Sequence, residues 1–297
     1  MTKYLSLGTA QFGLEYGITN KSGKIKPLEI SRILNLASET NIRFIDTAYS
    51  YGESEYLIGR ALPKDHNFKF SSKIPPLNNF EIGQNYLDNL EKKLEISLSN
   101  LKQKFLDILL IHRVQDLKGP KGKKLIKWLN SLQDRNLVKK IGISIYEKDD
   151  LIDIPLDEFQ IIQLPLSLYD QRLLKNGTID YLISKNITVH CRSIFLQGLI
   201  LEDINNWPEY LSEDFRKIHL KNHLYFKNKN LKPLEVALQF IKMQENIEST
   251  IVGVSSYEDL LEIKNCWNNI ENKELKINFN DFSWSNESDL DPRKWPL

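Results

Sequence analysis

Eight short apolar runs recur along the chain, each followed by a longer stretch of mixed character. They occupy residues 4–7, 42–45, 68–71, 105–111, 138–143, 159–164, 187–191 and 250–254. The runs are rich in β-branched and aromatic residues and too short for ordinary helices, so they read as buried strands. Between them, apolar positions recur at helical spacing. Within residues 80–100, Tyr86, Leu90, Leu94 and Leu98 fall four apart on one face. A helix over 27–40 opens on Pro27, which suits a first turn. A helix over 53–62 stops before Pro63, which cannot continue it. Stretches 123–135, 177–185, 231–245 and 257–267 complete the series. The connection after Asp149 is poorly helical.

Strands alternating with helices predict a parallel sheet with helical crossovers. Eight such units in 297 residues suit one closed (β/α)8 TIM barrel. The alternative is an open, doubly wound sheet, which normally carries a GxGxxG turn after its first strand. Here the first strand runs into Leu7-Gly8-Thr9-Ala10-Gln11-Phe12-Gly13, which is not that turn. No linker divides the chain, so residues 1–297 read as one domain. Residues 278–297 have little repeating pattern and read as an extended C-terminal tail. Packing on the barrel is its simplest role; the sharper alternative is that Trp284 or Trp295 reaches the substrate mouth.

Charge narrows the partners. There are 40 Lys+Arg against 39 Asp+Glu, a net charge of +1. That balance gives no electrostatic case for nucleic acid or an anionic membrane. No apolar run has spanning length, and the N-terminus lacks a signal-peptide core, so a cytoplasmic location is expected. The two cysteines, Cys191 and Cys266, form neither a CxxC motif nor a disulfide framework. His219 and His223 lie four apart, but no adjacent Glu or third ligand accompanies them. A solvated helical face is expected there, and no metal site. His190 reads as a structural residue in a strand.

Four residues stand where predicted strands end. Asp46 follows 42–45, Lys73 follows 68–72, His112 follows 105–111, and Tyr51 lies in the loop after Asp46. In a barrel the strand C-termini share one face, so these distant residues converge there. A free tyrosine titrates near ~10. A neighbouring ammonium favours the phenolate, and a carboxylate beside the lysine keeps that lysine charged. A histidine can donate to a carbonyl oxygen as charge develops on it. Together such groups can protonate an alkoxide while hydride arrives at carbon. No side chain supplies hydride, so a nicotinamide cofactor is required.

These residues lie in motifs that resemble the aldo-keto reductase superfamily over nearly the whole chain. The matches are Leu7-Gly8-Thr9-Ala10, Phe44-Ile45-Asp46-Thr47-Ala48-Tyr49-Ser50-Tyr51-Gly52, Ser71-Ser72-Lys73, Asp107-Ile108-Leu109-Leu110-Ile111-His112 and Ile141-Gly142-Ile143-Ser144. The segment Arg192-Ser193-Ile194-Phe195-Leu196-Gln197-Gly198 is also similar. The resemblance implies that Tyr51 is the general acid/base, that Lys73 and Asp46 tune it, and that His112 orients the carbonyl. It implies NADP(H) as cofactor, with NAD(H) the alternative. Ser144 and Gln163 match positions holding the nicotinamide amide. Arg192 stands where many members stack an aromatic ring on the nicotinamide; a guanidinium plane can stack as well. Ser193, Leu196 and Gly198 match the loop beside the pyrophosphate. Gly253, Ser255 and Glu262 fall in the segment that grips the adenosine. Many NADP-using members carry a basic residue at the place of Ser255, and Lys264 is a candidate substitute.

The expected activity is therefore reversible NAD(P)-dependent reduction of an aldehyde or ketone. The opening segment, with Tyr16-Gly17-Ile18, resembles a bacterial branch often found with sugar-modifying enzymes, which implies a sugar or sugar-derived substrate. Two other readings use the same residues. One is a nucleotide-binding barrel serving as a non-catalytic redox sensor. The other is a Schiff-base lyase or aldolase using Lys73.

Overall fold

The computed structural model describes residues 3–40, 42–77, 82–270, 275 and 277–296. Eight strands appear where the apolar runs predict them: β1 (Tyr4–Gly8), β2 (Phe44–Asp46), β3 (Lys69–Ile74), β4 (Leu106–Ile111), β5 (Val138–Ser144), β6 (Ile161–Pro165), β7 (Thr188–Arg192) and β8 (Ser249–Gly253). Each pairs in parallel with the next. The sheet closes where β1 meets β8, with Ser6 opposite Ile251 and Gly8 opposite Gly253. Closure removes both sheet edges and rules out the open doubly wound alternative.

Side chains alternate across a strand, so residues two apart share a face. Phe44, Ile108, Leu110 and Ile161 form a small buried cluster of their own. Asp46, His112 and Gln163 lie two residues beyond Phe44, Leu110 and Ile161, on the same faces of their strands. The larger core lies between barrel and helices, from Ile33, Leu34 and Ile45 to Leu238 and Val252. Each fully buried Leu or Ile there contributes about 1.5–3 kcal/mol by leaving water.

Eight helices of seven or more residues are described: α1 (Pro27–Ser38), α2 (Ser54–Ala61), α3 (Gln84–Leu101), α4 (Pro120–Asp134), α5 (Thr178–Ser184), α6 (Glu213–Asn228), α7 (Pro233–Lys242) and α8 (Tyr257–Asn269). In α3, Leu90, Leu94, Leu98 and Leu101 face the core, and Lys102 ends the helix in a left-handed conformation at φ 54°. Phe80, the start predicted for this helix, lies outside the described residues. The poorly helical connection after Asp149 holds only single turns, Lys148–Leu151 and Leu156–Glu158.

Two expectations are corrected. Helix α6 is not a solvated bearer of His219 and His223. His219 is fully buried, with Nδ1 2.9 Å from the Tyr169 hydroxyl and Nε2 2.9 Å from the Glu202 carbonyl. His223 Nε2 lies 3.0 Å from the Ile200 carbonyl. The long loop after β7 has backbone carbonyls to satisfy, and α6 brings imidazoles to them. Burial pulls the His219 pKa down to about 3. The second correction concerns the tail, which is folded into the short turns Phe279–Phe282, Glu287–Leu290 and Pro292–Lys294. The Trp284 backbone N–H donates to the Tyr169 carbonyl at 2.8 Å, and its indole stacks on Phe215 at 5.5 Å. Asp289 accepts from the backbone N–H and hydroxyl of Ser212, at 2.8 and 2.7 Å, at the start of α6.

Candidate active site

The loop after β2 holds Tyr51 between two glycines. A Cβ on Gly13 would sit 1.8 Å from the Tyr51 carbonyl oxygen and 2.7 Å from the Ser54 nitrogen. Gly52 follows at φ +57°, a left-handed conformation that a side chain disfavours. Buried hydroxyls tie the loop down. Thr9 Oγ1 donates to the Asp46 carbonyl at 3.0 Å, and Ser54 Oγ donates to the Thr9 carbonyl at 2.9 Å.

Around Tyr51 the strand ends deliver the predicted group. Lys73 Nζ donates to Asp46 Oδ2 at 2.6 Å and to the Thr47 carbonyl at 2.8 Å. The same Nζ lies 5.2 Å from the Tyr51 ring centre. Asp46 Oδ1 accepts from Gln163 Nε2 at 2.8 Å, so both carboxylate oxygens are held. His112 meets the Tyr51 ring edge-on, with ring centres 6.0 Å apart at 81°.

Electrostatics assign protonation states. Burial lowers the Lys73 pKa, opposed by Asp46. Burial, then Lys73 and Arg192, pull His112 down to about 4, which leaves it neutral at pH 7. The Tyr51 hydroxyl is pushed up by burial and by the Asp46 carboxylate, against a smaller pull from Arg192. Desolvation is the largest of these influences. Tyr51 is thus held as a neutral phenol, the form that can give a proton.

A cavity of about 310 Å³ starts at Tyr51 and Asp46, passes Arg192, Ser193 and Gly198, and reaches Gly253, Ser255 and Glu262. Eight of the thirteen predicted site residues line it. Lys73 and His112 flank Tyr51 without forming its wall. Ser144 and Gln163 are register partners on β5 and β6. Gln163 Oε1 is buried with no hydrogen-bond partner, an acceptor free for an amide N–H. Leu196 points into the core, so only its backbone is available. That backbone belongs to a run at positive φ: Ser193 58°, Leu196 48°, Gln197 54° and Gly198 94°.

Some site residues escaped the sequence reading. Gln11 and Tyr16 line the cavity. Tyr146 is sandwiched between guanidinium groups, Arg192 at 4.1 Å and Arg293 at 3.9 Å. Asp259 lines the far end and was legible as the last residue of Ser256-Tyr257-Glu258-Asp259, a helix-start signature. Neither Trp284 nor Trp295 lines the cavity.

A model of the Aldo/keto reductase family matches residues 4–277. The chain belongs to that family. It is accordingly an NAD(P)-dependent oxidoreductase. The chain is 25% identical over 275 residues to D-arabinose 1-dehydrogenase of Saccharomyces cerevisiae, covering 86% of this chain and 80% of that protein. It is 28% identical over 151 residues to the urease accessory protein UreH of Helicobacter hepaticus, half of this chain and 55% of that one. Among solved structures it is similar to aldo-keto reductase AKR11C1 from Bacillus halodurans in its holo form. That likeness has a TM-score of 0.70 at 18% identity and covers 94% of this chain and 89% of the other. It is also similar to an aldo-keto reductase from Klebsiella pneumoniae in complex with NADPH, with a TM-score of 0.64 at 15% identity, covering 90% and 86%. Both share the fold. Among the described residues no helix is long and apolar enough to cross a membrane.

Proposed function

We propose that the enzyme reversibly reduces the carbonyl of an aldehyde or ketone, with Tyr51 as proton donor. The observation that carries this is the convergence of Asp46, Lys73 and His112 on one half-buried tyrosine that lines the cavity. NAD(P)H bound in the cavity would supply the hydride. Tyr51 gives its phenolic proton to the carbonyl oxygen, and in the reverse direction takes it back. The Lys73 ammonium, held by Asp46 and Thr47, stabilises the phenolate that this transfer leaves. His112, neutral, orients the oxygen through a ring N–H.

The residues present suit such a cofactor. The family resemblance assigns Gln163 and Ser144 to the carboxamide and Arg192 to stacking on the nicotinamide, and the unpartnered Gln163 Oε1 supports the first of these. The resemblance assigns Ser193, Gly198 and the Leu196 backbone to the pyrophosphate, and Ser193 and Gly198 line the cavity. It assigns Gly253, Ser255 and Glu262 to the adenosine end, and all three line the cavity. A sugar or sugar-derived carbonyl is supported by the polar groups of Gln11, Tyr16 and Arg192 along the cavity. The arabinose dehydrogenase relative points the same way. Against a Schiff base at Lys73 stand its burial outside the cavity wall and its 2.6 Å ion pair.

The test is NADH and NADPH consumption with a panel of aldehydes, ketones and aldoses. Tyr51→Phe should lower kcat by roughly 10²–10⁴-fold while leaving coenzyme binding intact. Full turnover by that variant refutes the mechanism. Coenzyme binding without turnover on any carbonyl would favour a sensor.

A further inference from the structure

The C-terminal tail supplies no wall to the cavity among the described residues, yet it comes within one side chain of it. Arg192 is the only cation among the described residues that line the cavity. It lies near Tyr51: burial and Asp46 push that hydroxyl up, and Arg192 opposes them. Two kinds of contact hold its guanidinium. Nη2 donates to the Ile145 carbonyl at 3.0 Å, and Nη1 donates to Ser193 Oγ at 3.2 Å. Those bonds secure an edge of the fork. Its face lies 4.1 Å from the centre of the Tyr146 ring, and an aromatic face orients a guanidinium plane.

Tyr146 is itself fixed twice. Just past β5, its backbone N–H donates to Asp150 Oδ2 at 2.7 Å, and Asp150 Oδ1 accepts from Gln115 Nε2 at 3.1 Å. On the ring, the tail's Arg293 lies 3.9 Å from the centre. Asp291, its side chain only 2% exposed, grips Arg293 through Nε at 3.0 Å and Nη2 at 2.6 Å. Glu147 Oε1 lies 3.5 Å from the same Nη2. A two-point carboxylate grip fixes the plane of a guanidinium. The two carboxylates also neutralise Arg293, so it can share a ring with Arg192 without a second bare charge. The ring therefore separates a neutralised guanidinium of the tail from one that faces the cavity.

We propose that Tyr146 and Arg293 are positioning residues that hold the Arg192 guanidinium at the Tyr51 end of the cavity, so that the tail sets how tightly the nicotinamide end of NADPH is held. The proposal rests on the reading of Arg192 as the group stacked on the nicotinamide. Contacts between a guanidinium and a ring are individually modest. Losing Arg293 should weaken NADPH binding by about threefold, and losing the Tyr146 ring by about tenfold.

Quenching of tryptophan fluorescence, without any carbonyl substrate, tests this with NADPH and with adenosine 2′,5′-bisphosphate, which lacks the nicotinamide. Tyr146→Leu and Arg293→Ala should weaken NADPH and leave the bisphosphate unchanged. Tyr146→Phe keeps the ring and should recover most of the affinity that Tyr146→Leu loses. In an Arg192→Ala background neither substitution should weaken NADPH further, because both act through Arg192. The two variants reach Arg192 from different segments, so one remains informative if the other unsettles its loop. Losses that persist without Arg192, or that fall equally on the bisphosphate, overturn the positioning role. Wild-type NADPH affinity in Tyr146→Leu, with Arg192→Ala weakened, overturns it too and leaves the Arg192 reading standing. Wild-type NADPH affinity in Arg192→Ala overturns both.

Discussion

Replacing Lys73 by Met tests the buried ion pair most directly. Met keeps most of the side-chain volume and removes the ammonium. Asp46 then loses the donor at 2.6 Å and retains Gln163 at 2.8 Å, with its side chain only 7% exposed. Stranding one member of a buried pair costs about 3–5 kcal/mol. For a barrel of this size that lowers Tm by about 10 °C. Adding Asp46→Leu to the variant removes the stranded charge, so the double variant should regain about 2 kcal/mol or more over Lys73→Met alone. Urea unfolding of the four proteins in the cycle measures the coupling. The same variant should slow carbonyl reduction, because the phenolate left on Tyr51 loses its counter-charge. Strictly additive losses, or a Lys73→Met cost below about 1 kcal/mol, would refute the account of a desolvated and mutually dependent pair.

Gly13→Ala should damage activity more than stability. Its Cβ would collide with Tyr51 and Ser54 backbone atoms, which can yield only by moving the loop. A displacement of about 1 Å at Tyr51 is worth on the order of 10²-fold in kcat/KM; wild-type kcat/KM would show that the glycine does not position the tyrosine. His112 should make the fold acid-sensitive. Its folded pKa of about 4 lies below its ordinary 6.5, so the folded state binds fewer protons between those values. Stability is therefore lost as pH falls from about 6.5 towards 4, by about 3 kcal/mol for this group. His219 and His223 act with the same sign in both proteins, so His112→Gln should show a shallower loss in denaturant titrations across that window. Parallel losses would mean that His112 is not held neutral.

Much of this enzyme is local in origin and so is legible in the chain. Each strand is a short run whose burial follows from composition alone, and the period-four leucines of α3 announce their own buried face. The site motif is equally local, because Asp46, Tyr51, Lys73 and His112 each sit just past a strand, and parallel strands necessarily share a C-terminal face. Three-dimensional packing decided the rest. The Tyr51 phenol is held neutral because the barrel desolvates it and the Asp46 carboxylate lies nearby, neither of which spacing reveals. His219 and His223 looked like a wet helix face until the carbonyls of Glu202 and Ile200 were brought against them. Arg293 reaches Tyr146 through a tail without periodic pattern, and Glu29 caps Tyr257 from 228 residues away. Periodicity and turn chemistry act over a few residues, whereas desolvation and charge pairing depend on what the closed barrel brings near. The chain thus declares which four residues gather at the strand ends, while the folded barrel determines the protonation state of the tyrosine among them.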